Sequence, residues 1–135
     1  MRTIKFRGIV IDVDEWIHGD LNFIDNQPYI VGHGVGGKGM YAVNPNTAGQ
    51  FTGLTDKNGK EIYEGDIIGC HNPDIKHLIF YNEKQGRFMA ALNGDIDNDF
   101  VGVCGLDDSR WIASKMVIGN IHDNPELLKG GNDEP

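Results

Sequence analysis

Residues 32–39 read GHGVGGKG, and a glycine-rich run holding a lysine is the first place to look for phosphate chemistry. Gly32, Gly34 and Gly37 have the G-x-G-x-x-G spacing of a dinucleotide loop, and Gly32, Gly37 and Lys38 fit the opening of a P-loop. Both mechanisms hold phosphate on the N-terminal amides of a helix. The run that follows, MYAVNP, alternates like a strand and is broken by Pro45, and Gly39 stands where a P-loop needs a magnesium-binding hydroxyl. The stretch reads as a flexible hairpin loop, and no nucleotide cofactor is implied.

Metal chemistry has two candidate sets. DIDND at 95–99 places Asp95, Asp97 and Asp99 at the first, third and fifth positions of a calcium loop. Phe100 occupies the place of the turn glycine and Leu106 that of the bidentate glutamate, so the segment reads as a solvated acidic loop. Cys70, His71, His77, Cys104 and His122 are the ligand types for a transition metal, without zinc-ribbon spacing. Cys70 and His71 are adjacent and on a strand would face opposite sides. Nucleophiles are available in Ser109, Ser114, Cys70 and Cys104, but none sits in an activating motif. No catalytic, cofactor-binding or metal residue is assigned, and the chain reads as non-enzymatic.

A nucleic-acid face would draw on Lys5, Arg7, Lys84, Arg87, Arg110 and Lys115 with Phe6, Phe88 and Trp111. The simpler account makes the charges solvent-facing strand positions and the aromatics core. With 20 acidic against 12 basic residues the formal charge is −8, which lacks the electrostatic footprint of a nucleic-acid binder. The chain has 135 residues, enough for one domain or two small modules sharing a core. No apolar run approaches the ~20 residues of a membrane span. The opening MRTIKFRGIVIDVDEW is interrupted by Asp12 and Asp14, unlike a signal peptide. Two cysteines without a bridge framework fit a cytoplasmic protein.

The elements that must position these residues are strands and turns. In IKFRGIV, Ile4, Phe6 and Val10 share one parity and Lys5 and Arg7 the other, with Gly8 marking a bulge. DEWIHGDLNF and PYIV follow as strands separated by NQP, then MYAV and the turn NPNT. In FTGLTDKNGKEIYEGDII, Asn58-Gly59 predicts a type I′ hairpin turn, and Gly65 and Asp66 turn the chain into the strand IIGC. HLIFYN and RFMAAL flank the turn EKQG. After the acidic excursion 93–109, RWIASKMVIGNI resumes alternation, with Ile112, Met116 and Ile118 opposed to Trp111 and Val117. Asn124 caps a short helix that starts at Pro125, and the tail GGNDEP is expected to be disordered. The fold class is mainly β: an N-terminal β-hairpin module (1–50), packed on a small SH3-like β-barrel (51–123), then a short helix and tail (124–135).

VNPNTAGQFTGLTDKNGKEIYEGDII, followed by VIGNIHDNPELL and preceded by IKFRG and W-x-x-G-D-L, resembles the YopX family of small proteins encoded by bacteriophages and prophages. The resemblance runs over residues 3–128, with 69–110 matching poorly. Asp56, Asn58, Gly59, Gly65 and Asp66 match its turn motif. It implies an SH3-like barrel for the half containing EGDI and transfers no catalytic residue. The expected function is that of a phage or prophage accessory protein in the bacterial host cytoplasm, acting through protein contacts with a phage or host protein and as a homo-oligomer. The rivals are a nucleic-acid-binding barrel and a small hydrolase of unfamiliar spacing.

Overall fold

The computed structural model describes residues 3–96, 109–112 and 114–128. The chain divides into two compact units at Gly53/Leu54. The first holds β1 (Phe6–Ile9), β2 (Trp16–Ile24), β3 (Gln27–Gly34), β4 (Gly37–Ala42) and a 3-10 turn at Pro45–Thr47. Strand β5 (Gly49–Thr55) runs through the division. The second unit holds β6 (Glu61–Tyr63), β7 (Asp66–Gly69), β8 (Lys76–Asn82), β9 (Arg87–Leu92), a single helical turn α1 (Ser109–Ile112), β10 (Met116–Asn120) and a 3-10 turn at Pro125–Leu128. The protein is mainly β, with two antiparallel sheets ordered β4-β3-β2-β1-β5-β6 and β10-β7-β8-β9. Among the described residues neither sheet closes, so the barrel expected over 51–123 is not found as a closed one. The C-terminal segment expected as a short helix from Pro125 forms a 3-10 turn at Pro125–Leu128. No helix among the described residues is long and apolar enough to cross a membrane. The tail GGNDEP lies outside the described residues.

The first unit is a curled sheet. Val10 bridges Val43, and amides on both flanks continue the pairing, Ile11 N–H donating to Ala42 O (3.0 Å) and Asn44 N–H to Ile9 O (2.9 Å). Val10, Ile17, Ile30 and Val43 fill the curl, with Phe6, Leu21 and Tyr41 packed against them. Gly8 is not a bulge: β1 keeps unbroken register with β2 from Phe6↔Gly19 to Ile9↔Trp16. It supplies room, since a Cβ there would lie 2.9 Å from Val43 Cβ. Arg7 also departs from the expected solvent-facing parity. It is buried, with its guanidinium carbon 4.5 Å from the Trp16 ring centre, where the flat cation covers an aromatic face.

The turn between β2 and β3 is Asp25-Asn26, not NQP. Both residues have positive φ (50° and 70°) between the paired ends Ile24↔Gln27, the requirement of a type I′ hairpin. Pro28 then sits inside β3, where it cannot donate to the carbonyl of Val43. The Gln27 side chain replaces that donor, its Nε2 lying 2.8 Å from Val43 O and 2.9 Å from Pro28 O.

In the second unit Ile62, Ile68, Ile79, Ala90 and Ile112 form the core, with Leu54, Phe88, Trp111 and Val117 against it. Every residue of β7 is buried. Its Ile67-Ile68 pair is apolar on both parities, as in a strand covered on both faces, and it opens on the buried Asp66. The alternation expected in β10 fails at Ile118, which the register skips between Val117↔Ile68 and Gly119↔Ile67.

Candidate interaction surface

The FTGLTDKNGKEIYEGDII stretch has the most distinctive residues, and its two buried aspartates bond backbone amides. Asn58-Gly59 is not a type I′ turn. Gly59 N–H bonds Asp56 O (2.9 Å), Asp56 N–H bonds Lys60 O (2.8 Å), and only Gly59 has positive φ (84°). That is a three-residue hairpin loop with glycine at its left-handed position. The buried Asp56 carboxylate accepts the amides of Asn58 (2.8 Å) and Lys60 (2.9 Å) on Oδ1 and of Val117 (2.8 Å) on Oδ2. Burial alone would raise its pKa. The three amides, with the charge of Lys60, outweigh burial and hold it below the ordinary 3.8. Asp66, also buried, accepts the Tyr63 amide (2.8 Å) across the turn where Gly65 has φ 90°. One aspartate staples the hairpin to β10; the other closes the entry to β7. Both are scaffold.

GHGVGGKG is a regular hairpin, with Gly32↔Gly39, His33↔Lys38 and Gly34↔Gly37 paired around Val35-Gly36. A Cβ on Gly34 would lie 2.6 Å from the Tyr41 ring. Its absence lets the ring cross the strand, so that Tyr41 Oη accepts the Gly36 amide (3.1 Å) and donates to Gly37 O. A Cβ on Gly32 would run into the carbonyl oxygen of His18. These glycines clear space between strands, and Lys38 is an exposed strand residue.

The candidate ligands that are described do not converge. Cys70 is half-buried, with Sγ 4.0 Å from Asn72 O, and the neighbouring His71 is exposed. His122 belongs to the turn after β10. Cys104, Asp97, Asp99, Phe100 and Leu106 lie outside the described residues. Among the described residues no three His, Cys, Asp or Glu side chains converge. Ser114 Oγ donates to Trp111 O (3.0 Å) and accepts Lys115 Nζ (2.9 Å), while Ser109 opens α1. His77, the second residue of β8, is the unusual one. It is buried, its ring is edge-on to Trp111 at 5.3 Å, and its Nδ1 has no hydrogen-bond partner among the described residues. Burial, then repulsion from Lys115, lowers its pKa below 6.5.

The cations proposed for a nucleic-acid face are divided between the units. Several rest on the protein's own rings: Lys5 on Phe51 (5.3 Å), Arg7 on Trp16 (4.5 Å) and Lys115 on Trp111 (4.6 Å). Arg87 Nε bonds Gln85 Oε1 (3.2 Å), and Lys84 lies in the β8–β9 loop. Phe6 and Phe88 pack against the two cores, and Arg110 lies in α1.

A surface that sequence reasoning missed lies on the outside of the first unit. Paired residues share a face, so Val31 stands beside Met40, Tyr29 beside Ala42, and Ile11 next to Ala42 through its backbone bond. Ile24, opposite Gln27, extends the same face. Met40, Ile24 and Ile11 are exposed (50%, 46% and 40%), while Tyr29, Val31 and Ala42 are half-buried. The signal for it was in PYIV: Tyr29 and Val31 on one parity, Pro28 and Ile30 on the other, apolar on both faces. Beside this face, among the described residues, Gly37–Tyr41 forms the outer edge of the sheet, since β4 pairs with β3 on one flank and meets the end of β1 only near Ala42–Asn44.

These features define an antiparallel two-sheet protein whose most distinctive motif is architectural. The chain belongs to the YopX family, which it matches over residues 5–129. It is similar to the crystal structure of protein EF1440 from Enterococcus faecalis, with 26% identity and a TM-score of 0.58, covering 96% of this chain and 100% of that one. No curated protein matches it.

Proposed function

We propose that the chain is a phage- or prophage-encoded accessory protein that acts without catalysis, through protein contacts and self-association, in the bacterial host cytoplasm. The observation that carries this reading is the open edge of β4 beside an exposed apolar sheet face. An edge strand offers backbone donors and acceptors that a second chain can pair with. The buried aspartates of the 51–68 motif bond backbone amides, which favours action through surfaces. We read the half beginning at EGDI as kin to SH3-like barrels. The return of β10 to the flank of β7, beside the β7-β8-β9 meander, supports that kinship.

Light scattering combined with a gel-shift assay tests the reading. The expected result is an apparent mass above 14.9 kDa and no shift of single- or double-stranded DNA at micromolar protein and moderate salt. A monomer that binds DNA in a salt-sensitive manner would replace it with the nucleic-acid reading.

A further inference from the structure

We propose that the outer face of β3 and β4, extended by Ile11 and Ile24, docks a protein segment whose apolar side chains are flanked by lysines or arginines. This rests on the protein-contact reading and names the chemistry of the partner. By register the face runs from Ile11 beside Ala42, through Tyr29 opposite Ala42, to Val31 opposite Met40. Ile24 lies diagonal to Tyr29 with the polar Asn22 and Gln27 as its direct neighbours. Its central residues are half-buried and its outer ones exposed, so a ligand would find an apolar floor with a raised margin.

The margin is acidic. Asp20 is exposed and paired opposite Val31, Asp12 follows Ile11, and Asp25 follows Ile24. From residue 8 to residue 37 the chain carries Asp12, Asp14, Glu15, Asp20 and Asp25 and neither lysine nor arginine. Lys38, opposite His33, closes the face at its far end. Apolar area supplies the driving force for association, and the charge margin selects the sign of the partner. A second copy would bring the same acids against these, and nucleic acid would be repelled. A basic, apolar segment satisfies both features. Self-association through the backbone edge of β4 uses different groups and is compatible with it.

The test uses the full chain and two soluble peptides of equal length, one alternating Leu and Lys, the other Leu and Glu. Fluorescence anisotropy should show the Leu/Lys peptide binding at least tenfold more tightly, with the preference shrinking as salt rises. Amide shifts in 15N-labelled protein should centre on residues 11, 24, 29, 31, 40 and 42. Met40→Lys should weaken Leu/Lys binding at least tenfold. Ile96→Lys, the same charge change at an exposed site of the other unit, should leave it within twofold. Equal binding of the two peptides, equal loss in the two variants, or shifts centred elsewhere would overturn the proposal. So would a dimer mass that Met40→Lys reduces to that of a monomer, because a second copy would then own the face. A monomeric wild type that still discriminates the peptides would remove self-association and leave the docking face standing.

Discussion

The two units secure their backbones with different emphasis. In the second, side chains are added to hold turns: Asp56 binds three amides, Asp66 one, and Asn82 Oδ1 accepts Lys84 and Gln85 amides (3.0 and 3.1 Å) across EKQG. Asn120 Oδ1 does the same for His122 and Asp123 (3.0 and 2.9 Å). In the first, Gln27 and Thr47 also bond backbone groups, but the closest strand contacts depend on side chains that are missing. Gly8 admits Val43, Gly34 admits the Tyr41 ring, and Gly32 lets β2 and β3 approach. Conspicuous polar motifs in this protein therefore report stability. On the proposed reading, the first unit carries the surface that meets a partner.

The largest effect that would sharpen this contrast is at Asp56. Asp56→Ala strips three amides of their acceptor at ~1–3 kcal/mol for each buried group left unsatisfied, some of it recovered by water. We predict a loss of about 3–4 kcal/mol in denaturant unfolding; a loss under 1 kcal/mol would break the scaffold account of the motif. Next comes Gly32→Ala, where the new methyl meets backbone rather than a movable side chain. About 2–3 kcal/mol of overpacking is expected, and a neutral result would mean that the glycines serve something other than strand approach. Gly59→Val forces a β-branched residue into φ 84° and should cost about 1–2 kcal/mol in thermal melts.

A smaller effect lies in the pH dependence. His77 has a folded-state pKa below 6.5, so as pH falls the unfolded chain takes up this proton first. Its contribution is fully present above about 6.5 and is lost as pH falls through the lower folded value. Asp56, lowered below 3.8, acts in the same direction in a more acidic window: its stabilisation holds above 3.8 and is lost as pH falls through its folded value. Denaturant midpoints measured against pH should show two acid-side declines, and His77→Leu should abolish the upper one alone. Survival of the upper decline in that variant would place its origin in another group.

Much of the strand pattern was legible, because alternation and turn residues report a half-buried hairpin directly. HLIFYN–EKQG–RFMAAL became β8, a turn and β9 with Asn82↔Arg87 as the closing pair. What failed had a tertiary cause. Arg7 sits on the polar parity yet is buried because Trp16 lies across it, and Gly8 looks like a bulge because nothing local reveals Val43 opposite. The type I′ turn was assigned to Asn58-Gly59, whereas Asp25-Asn26 forms one, because Asp56 captures the first turn for its own side chain. The outer apolar face was hidden by the habit of assigning each strand a single buried side. Gln27 had no visible role until Pro28 was seen to leave Val43 O without its donor.

The central claim is that the second unit's motif holds the fold while the first unit's outer face meets the partner. The most direct measurement is the affinity of the Leu/Lys peptide for Asp56→Ala and Met40→Lys, taken at a temperature where both remain folded. The account predicts wild-type affinity for Asp56→Ala, within twofold, and at least a tenfold loss for Met40→Lys. Loss of binding in Asp56→Ala with retention in Met40→Lys would contradict it and move the site into the motif.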